Sequence, residues 1–409
     1  MAQDDTPRGD RTGTYSRRRV LAGGSAALLA GVAGCSGGGG GGGGDGGATA
    51  TETETESGGD GGATTTTSQS MSEPEKPDSI TVRAWGGTWE ESVRKSIAEP
   101  FTSDTGIDVE FDNTDRTVMQ GKIRTAIQQD RAPPVNVMWT TVTAAHKEYE
   151  FGLANPLDPE VVDNVDLMFD LATPDVDGNP PYLSMYSYTY ALCYNEEELQ
   201  SLQGNTDPVG SWTDLTDSMY EGNLGVYDNG YGLHPVLAEL AGVDLGSGNY
   251  DPMWDQLEAF APSVGLVGDD TNLTQGITEG EVAYAQLLVN NIVDAVRNQD
   301  EPLGWTIPEE GTTAWQDSMY TPKNQDESHT YWSQVFINYA ASTDVQTDWT
   351  TTLNLPMLNQ DAEPQEWMAE DPAFPTTQEE LDNLITPDPG VYVENSSTWY
   401  DQFSQIISA

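Results

Sequence analysis

The stretch TTAWQDSMYTP at residues 312–322 contains two residues that could bind a cation together. Trp315 and Asp317 are separated by one residue, and alternate residues of a β-strand face the same side. A cation over an indole ring gains about 0.5 to 2 kcal/mol. A partly desolvated carboxylate adds a charge-assisted hydrogen bond. A pair of this kind is suited to contact a cation, with Asp317 as the charged partner, and the alternative is that both side chains are ordinary core.

Acidic residues are so common in this chain that a carboxylate alone indicates little. The sequence has 67 Asp and Glu against 16 Lys and Arg, which gives a formal net charge of -51. Neutralising phosphates requires Lys and Arg, so this charge argues against a nucleic-acid partner. With 11 Trp and 17 Tyr, the chain can still form a folded core. Acid excess on a folded chain is typical of a halophilic protein, because dense salt screens the self-repulsion.

Residues 1–35 have the features of an export signal. Arg17 and Arg18 precede an apolar stretch that is too short and too rich in glycine to span a bilayer. Twin arginines indicate the Tat route. The ending Val-Ala-Gly-Cys resembles a lipobox, which makes Cys35 the predicted lipid attachment site. We therefore expect a protein exported by Tat and anchored to the outer face of the cell membrane.

Residues 36–79 consist of Gly runs, Thr-rich repeats and EPEKPD, and nothing in them can bury apolar surface. This segment is predicted to be a disordered tether. With Cys35 used by lipid, Cys193 is the remaining thiol, so neither an internal disulfide nor a Cys-based metal site is expected. Its apolar and aromatic flanks predict a buried, inert thiol.

The composition changes at Ile80, where strand-like and helix-like segments begin to alternate. Strands separated by helices at this spacing indicate parallel βαβ units and hence an α/β fold. The segments ITVRAW, IDVEFD and VNVMWT predict strands, and the two stretches between them predict helices, the first ending at Gly106.

Two long segments are predicted to cross between two lobes. YLSMYSYTYALCYN is an aromatic strand leaving the first lobe, and GWTIPEEGTTAWQDSMYTP is the return. The predicted division is 80–186 for the first part of lobe 1, 187–314 for lobe 2, and 315–409 for the return to lobe 1 and the C-terminal helices. A chain that crosses twice forms a cleft lined by the crossing strands.

From about residue 80 onward the chain resembles the family 1 extracellular solute-binding proteins of ABC importers, most closely the spermidine/putrescine-binding branch. The segments that carry the resemblance are WGGTWEES, PFTSDTGIDV, FGLANPLDP, YALCYNEEEL, SWTDL, YEGNLGVYD, ITEGEVAYAQ, AWQDSMYTPKN and INYAASTDVQ. The resemblance implies a two-lobed, type II periplasmic-binding-protein-like fold that closes on a small solute by hinge motion. It also implies an ABC permease as partner, no cofactor and no metal, and we expect a monomer.

In the polyamine binders that the chain resembles, an aromatic residue of the first strand and a Trp-x-Asp on the return crossing hold ammonium groups. Those positions fall on Trp85, Trp315 and Asp317 in this sequence. The acidic pair of the second lobe is not retained, because YDNGYG keeps Asp228 but has Asn229 and Gly232 at the other positions.

A second departure lies after the GEV strand, where Val289 replaces the expected tryptophan and Asn290 is the nearest polar side chain. A long polyamine needs carboxylates at both ends, and one is clearly kept. A smaller amine, an amino-acid derivative, a compatible solute or a sugar therefore remains an alternative to spermidine or putrescine.

Further candidate ligand contacts follow from position alone. Thr140 and Thr141 come at the carboxyl end of the third predicted strand, where open α/β sheets bind ligands, although capping of the next helix is an alternative for Thr141. Tyr186 and Tyr188 share one face of the crossing strand, so either could line the cleft or simply pack the hinge.

The sequence offers little support for an enzyme. Its three histidines, His146, His234 and His329, lack metal-ligand spacing. The GxSxG match GCSGG at residues 34–38 lies in the Gly-rich run rather than between a strand and a helix, so it does not form a nucleophile elbow. A pair of catalytic carboxylates would be undetectable in so acidic a chain. A secreted hydrolase and a surface adhesion module therefore remain alternatives to the solute receptor.

Overall fold

The computed structural model describes residues 73–174 and 176–409, all of which fall within one compact unit, Ser70–Ala409. The predicted signal, Cys35 and most of the predicted tether lie outside the described residues. The strands are β1 (Ser79–Arg83), β2 (Asp108–Asp112), β3 (Val137–Thr141), β4 (Leu183–Asn195), β5 (Leu224–Tyr227), β6 (Val264–Gly268), β7 (Tyr284–Leu288), β8 (Leu303–Thr306) and β9 (Ala314–Tyr320).

The helices lie between and after these strands. They are α1 (Gly87–Val93), α2 (Glu99–Thr105), α3 (Arg116–Gln128), α4 (Val142–Glu150), α5 (Glu196–Gln203), α6 (His234–Ala241), α7 (Asp251–Phe260), α8 (Asp270–Thr278), α9 (Val293–Asn298), α10 (Glu327–Ala340), α11 (Thr343–Leu353), α12 (Gln378–Asp382) and α13 (Pro389–Ile407). A π-helical segment, Arg94–Ala98, joins α1 to α2. Among the described residues, no helix has both the length and the apolar character needed to cross a membrane.

The strands form one mixed sheet in the order β2-β1-β3-β9-β4-β7-β5-β6, with β8 also paired to β4. Pairs within β2-β1-β3 and within β7-β5-β6 are parallel, as the alternation of strands and helices predicts. The pairs made by β9 and β4 are antiparallel. The sheet thus has two parallel halves joined by two antiparallel strands.

Strand β4 carries the chain from one half of the sheet to the other. Its first part, through Thr189, pairs with β9, and its last part, from Tyr190, pairs with β7 and β8. Because β8 and β9 both run antiparallel to β4, the chain returns alongside the strand by which it left. The predicted aromatic crossing strand and the predicted return are confirmed as strands, and Cys193 in β4 is buried with its thiol pKa raised by desolvation.

Local sequence explains several boundaries. Helix α2 ends as predicted at Gly106, whose φ of 79° is the left-handed conformation that glycine adopts readily. Helix α13 begins after Asp388, whose carboxylate accepts a hydrogen bond from the Val391 amide. This last helix packs against both α4 and α7, so it contacts elements that belong to both halves of the sheet.

Two boundaries differ from the sequence prediction. Strand β1 ends at Arg83, so Trp85 follows the first strand rather than lying within it.

Residues 73–78 were predicted as free tether, but they lie along α10. The Trp332 indole donates to the Pro74 carbonyl, and the Lys76 ammonium lies 5.0 Å from the centre of the Trp332 ring. The Ser328 hydroxyl also donates to the Glu75 carbonyl, so contacts with α10 hold this short polar segment on the surface.

Candidate ligand-binding site

Asp317 lies in the middle of the sheet, where β9 is held between β3 and β4. Thr141 is its direct partner on β3 and Tyr186 its direct partner on β4. Directly opposed residues point to the same face of a sheet, so these three side chains form a row across three strands. The predicted candidates Asp317, Thr141 and Tyr186 are therefore brought together.

Thr140 belongs to the other face of the sheet. It pairs with Ser318, whose hydroxyl is 2.8 Å from that of Ser184, and it is completely buried. Successive residues of a strand point to opposite faces, so the structure does not bring Thr140 to Asp317. The sequence predicts that Thr140 lies at a strand end, but the face that its side chain takes depends on the register with β9.

The Asp317 carboxylate is largely removed from water, with 8% of the residue exposed. The Tyr186 hydroxyl donates to Oδ2 at 2.5 Å and itself accepts from the Trp89 indole at 2.9 Å. The Tyr188 hydroxyl approaches closely enough to lower the pKa but does not reach hydrogen-bond geometry, and Oδ1 has no partner among the described residues. Burial raises the pKa of Asp317 to about 7, against the opposing effects of the tyrosines and of nearby arginines.

Trp315 lies two residues from Asp317 and is almost inaccessible, with 1% of the residue exposed. Tyr231, from the loop between β5 and α6, stacks on its ring, with centroids 5.0 Å apart and planes inclined by 19°. Tyr392 of α13 meets the same ring edge-on at 4.9 Å. The indole Nε1 has no hydrogen-bond partner in the described part of the chain. The face that a cation would use is thus covered by another aromatic ring in this conformation.

Trp85 is partly buried and already has a cation against its ring. The Arg83 guanidinium lies 4.9 Å from the ring centroid, and Trp89 packs against Trp85 at 5.0 Å. Since Trp89 donates to Tyr186 and Tyr186 donates to Asp317, a chain of contacts joins Trp85 to the carboxylate. No direct contact between Trp85 and Trp315 occurs among the aromatic pairs of the described residues.

Two arginines close to Asp317 were not identified from the sequence. Arg83 is buried and donates to the carbonyls of Thr114 and Trp139 at 3.1 and 3.0 Å. Arg116, the first residue of α3, donates from Nη1 to the Thr141 hydroxyl at 2.7 Å. Burial and the charge of Arg116 lower the pKa of Arg83, while the Asp317 charge opposes this effect. The sequence contains only 16 Lys and Arg residues. Two of these few basic residues lie at the carboxyl end of β1 and at the start of α3, and that position could have identified them as candidates.

Thr141 is the N-cap residue of α4, as the sequence alternative suggested, but its side chain makes no capping hydrogen bond. Its hydroxyl instead accepts from Arg116 and lies 3.3 Å from the Thr143 hydroxyl. The Thr143 hydroxyl is in turn 3.5 Å from that of Tyr231. A polar row therefore runs from Arg116 toward the ring that covers Trp315.

The loop after β5 explains the missing second acidic residue. Gly232 is buried, and its carbonyl accepts from Gln286 at 2.7 Å and from Thr313 at 2.8 Å. A Cβ atom at Gly232 would lie 2.8 Å from the ring of Tyr190, so no side chain fits while that tyrosine is present. Asp228 is exposed on the same loop and contributes electrostatically to Tyr400 rather than to Asp317.

Asn290 lies in a 3-10 turn after β7, and its buried Oδ1 has no partner in the described part of the chain. Its neighbour Asn291 donates to Asp270, which also accepts from the Tyr227 hydroxyl. No hydrogen bond of the described residues joins Asn290 to the row around Asp317, so the structure leaves these two candidate positions apart.

Within the described residues, buried polar atoms without a hydrogen-bond partner lie on β4 and β9, the strands that join the two halves of the sheet. Convergent polar groups of this kind are typical of small-molecule binding sites. The chain belongs to the family of bacterial extracellular solute-binding proteins, whose sequence model matches residues 96–376. A search of curated protein sequences found no match.

Solved structures with the same fold include three binding proteins at low sequence identity. One is the spermidine/putrescine substrate-binding protein PotD from Streptococcus pneumoniae, with a TM-score of 0.66 and 18% identity over 81% of this chain and 100% of that chain. Another is the Atu4243-GABA receptor, with a TM-score of 0.66 and 17% identity over 80% and 97%. The third is AfuA from Actinobacillus pleuropneumoniae with fructose-6-phosphate bound, with a TM-score of 0.62 and 16% identity over 81% and 99%.

These comparisons confirm the predicted fold, a two-lobed α/β periplasmic-binding-protein-like fold of type II. The family match also confirms the predicted class, an extracellular solute-binding protein. The ligands of the neighbours differ widely, so the fold does not specify a ligand for this chain.

Proposed function

We propose that this protein captures a small amine in the cleft between its lobes and delivers it to an ABC permease. The observation that carries the proposal is the Asp317 carboxylate, which is buried, oriented by Tyr186 and left with Oδ1 unpaired. A buried carboxylate without a counter-ion is costly, because burial removes its hydration. A ligand ammonium would supply the missing charge and hydrogen bond together.

The site favours a short amine over a long polyamine. A diamine needs an anionic group for its second ammonium, and Gly232 occupies the position at which the second-lobe carboxylate would stand. Tyr190 leaves no room for a side chain there. Trp315 and Trp85 are proposed as aromatic walls, with Thr141 and Tyr186 beside the carboxylate. For Thr140, Asp228 and Asn290, no contact in the structure supports a ligand role.

We propose a first part of lobe 1 at 80–186, lobe 2 at 187–314 and the return at 315–409. The transfer of β4 from β9 to β7 and β8, between Thr189 and Tyr190, lies three residues beyond the first of these boundaries. Hinge motion at the crossing strands would then open and close the cleft. Export by Tat and attachment through Cys35 would hold the receptor at the outer face of the cell membrane near its permease.

Ligand screening tests the proposed function. Tryptophan fluorescence and melting temperature of the purified protein in molar salt are followed against amines, amino acids, betaines, sugars and phosphate esters. We expect a saturable shift with an amine that Asp317→Asn removes. The matched control is Asp104→Asn, because Asp104 also accepts from a tyrosine hydroxyl, Tyr339, but at the exposed surface. Binding of sugars or anions alone, or binding unaffected by Asp317→Asn, would exclude the amine assignment.

Anchoring is tested separately in cells. Cys35→Ser should move the protein from the membrane fraction to the medium, and replacing Arg17 and Arg18 with lysine should block export. Retention of Cys35→Ser on the membrane would show that the lipid is not the anchor.

A further inference from the structure

Arg116 is a cation beside the candidate site that forms no ion pair among the described residues. No carboxylate oxygen of the described residues lies within 4.0 Å of its guanidinium. Its one hydrogen-bond partner in that part of the chain is the Thr141 hydroxyl. The neighbouring Asp115 carboxylate accepts from the Val118 amide as the N-cap of α3. A half-buried arginine that pairs with no acidic residue in the described part of the chain has donors available for another group.

The position of Arg116 relative to Asp317 follows from the strand register. Thr141, which holds the guanidinium, lies directly opposite Asp317 in the β3–β9 pair. Opposed residues have Cβ atoms about 4.5 to 5.5 Å apart and share a face of the sheet. The guanidinium and the carboxylate are thus close enough to influence the pKa of Asp317 but do not form an ion pair.

We infer that the ligand is a small zwitterion whose ammonium group binds Asp317 and whose carboxylate binds Arg116. This inference rests on the proposed function, because it uses the same amine site. The Asp317 Oδ1 would gain the donor that it lacks, and the guanidinium would gain a carboxylate suited to its fork of N–H donors. The hydroxyls of Thr141 and Thr143 lie on the Arg116 side and can donate to the same carboxylate.

Charge argues against the two simpler ligand classes. A diamine would place its second ammonium next to Arg116, with the buried Arg83 also nearby, and like charges close together repel. A simple anion would be attracted to Arg116 but would face the Asp317 carboxylate. Arg83 is not an equivalent carboxylate site, because its N–H groups are directed to two carbonyls and its guanidinium lies over Trp85.

Titration calorimetry with matched compounds tests the inference. The probes are ω-amino acids from glycine to 6-aminohexanoate and, for each length, the corresponding monoamine, diamine and monocarboxylate. We expect at least one ω-amino acid to bind about tenfold or more tightly than its monoamine and its diamine. Arg116→Gln should remove this preference while retaining the weaker binding of the monoamine. The control is Arg131→Gln, because Arg131 is exposed.

The outcomes separate this inference from the proposed function. A diamine that binds as tightly as the amino acid of equal length, or a preference that survives Arg116→Gln, would overturn the zwitterion and leave the amine receptor intact. Binding of none of the amines or amino acids would overturn both. If Arg116→Gln fails to fold, the ranking of the compounds on the wild-type protein and on Arg116→Lys decides, since lysine keeps the charge but loses the planar fork.

Discussion

Tyr231 stacks on Trp315, with ring centroids 5.0 Å apart. The tyrosine comes from the loop after β5 and the tryptophan from β9, so this pair connects one parallel half of the sheet to a strand that joins the halves. Offset stacked aromatic pairs contribute about 0.5 to 1.5 kcal/mol beyond the area they bury. A ligand that uses the indole face must displace Tyr231 or bind beside it, so this stack is the first contact whose loss should be detectable.

Tyr231→Ala should expose Trp315 to water. We expect the fluorescence emission of the ligand-free protein to shift to longer wavelength, because the indole loses its cover, and stability to fall by about 1 to 3 kcal/mol. The measurement is the emission spectrum, with the spectrum of Trp315→Phe subtracted to isolate this residue. The control is Tyr149→Ala, because Tyr149 is exposed. An unchanged Trp315 emission would mean that the ring is uncovered in solution.

Asp317→Asn should make the unliganded protein more stable at alkaline pH. The folded-state pKa of Asp317 is about 7, raised from 3.8, so the folded protein holds the proton more tightly than the unfolded chain. Stability from this group is present below about pH 4 and is lost as pH rises toward about 7. At pH 8 we expect the asparagine variant to gain about 2 kcal/mol, with the difference shrinking by pH 5. The test is to measure the melting temperatures of the wild-type protein and of Asp317→Asn between pH 5 and pH 8. Equal melting temperatures at every pH would contradict the prediction.

Amine binding by the wild-type protein should weaken as pH falls. The ammonium binds the ionised Asp317, so below the pKa of about 7 the ligand competes with a proton. Affinity should drop by about tenfold per pH unit below that point and level off above it. Calorimetric titrations between pH 5 and 9 measure the profile. A flat profile would show that the carboxylate does not ionise in this range or does not contact the ligand.

Tyr186→Phe should move that pH profile upward. The Tyr186 hydroxyl donates to the carboxylate and favours its charged form, so removing it raises the pKa of Asp317 further. We expect amine affinity at pH 7 to fall about threefold to thirtyfold and to recover partly at pH 9. Tyr339→Phe is the matched control, because Tyr339 donates to Asp104 at the surface. A loss of affinity that does not depend on pH would indicate a packing effect instead.

Gly232→Ala should destabilise the protein because its Cβ would lie 2.8 Å from the Tyr190 ring. Overpacking of this kind costs about 1 to 3 kcal/mol. Gly210→Ala serves as control, because an added Cβ there meets nothing within 4 Å. Chemical denaturation of the two variants compares them. Equal stability would mean that Tyr190 rotates away easily.

Much of the fold could be predicted because local patterns specify it. The alternation of strands and helices predicts the parallel halves, and the run of tyrosines in Leu183–Asn195 predicts a long crossing strand. The helix end at Gly106 follows from glycine alone. The contacts of segment 73–78 were not predictable, because its partners Ser328 and Trp332 are more than 250 residues away in the chain.

The candidate site was less predictable because it depends on strand register. Thr140 and Thr141 are adjacent threonines, and the sequence alone does not tell which one faces Asp317. The register with β9 decides it, because Thr141 pairs with Asp317 and Thr140 pairs with Ser318. Arg116 and Tyr231 reach the site from a helix and a loop, so no spacing along the chain reveals them. Asp317 itself could be identified because its neighbour Trp315 and the order of the flanking segments supplied the context.

The contact between Gly232 and Tyr190 also restricts how this receptor could evolve. A glutamate at position 232 would introduce a second carboxylate, but it would first meet the ring of Tyr190. Replacement of Tyr190 alone would leave a void beside Tyr188 and Tyr227, which pack against it. We therefore expect each single substitution to destabilise the fold, so that a second carboxylate at position 232 requires both substitutions together. Lineages of this receptor should differ at the two positions jointly or at neither.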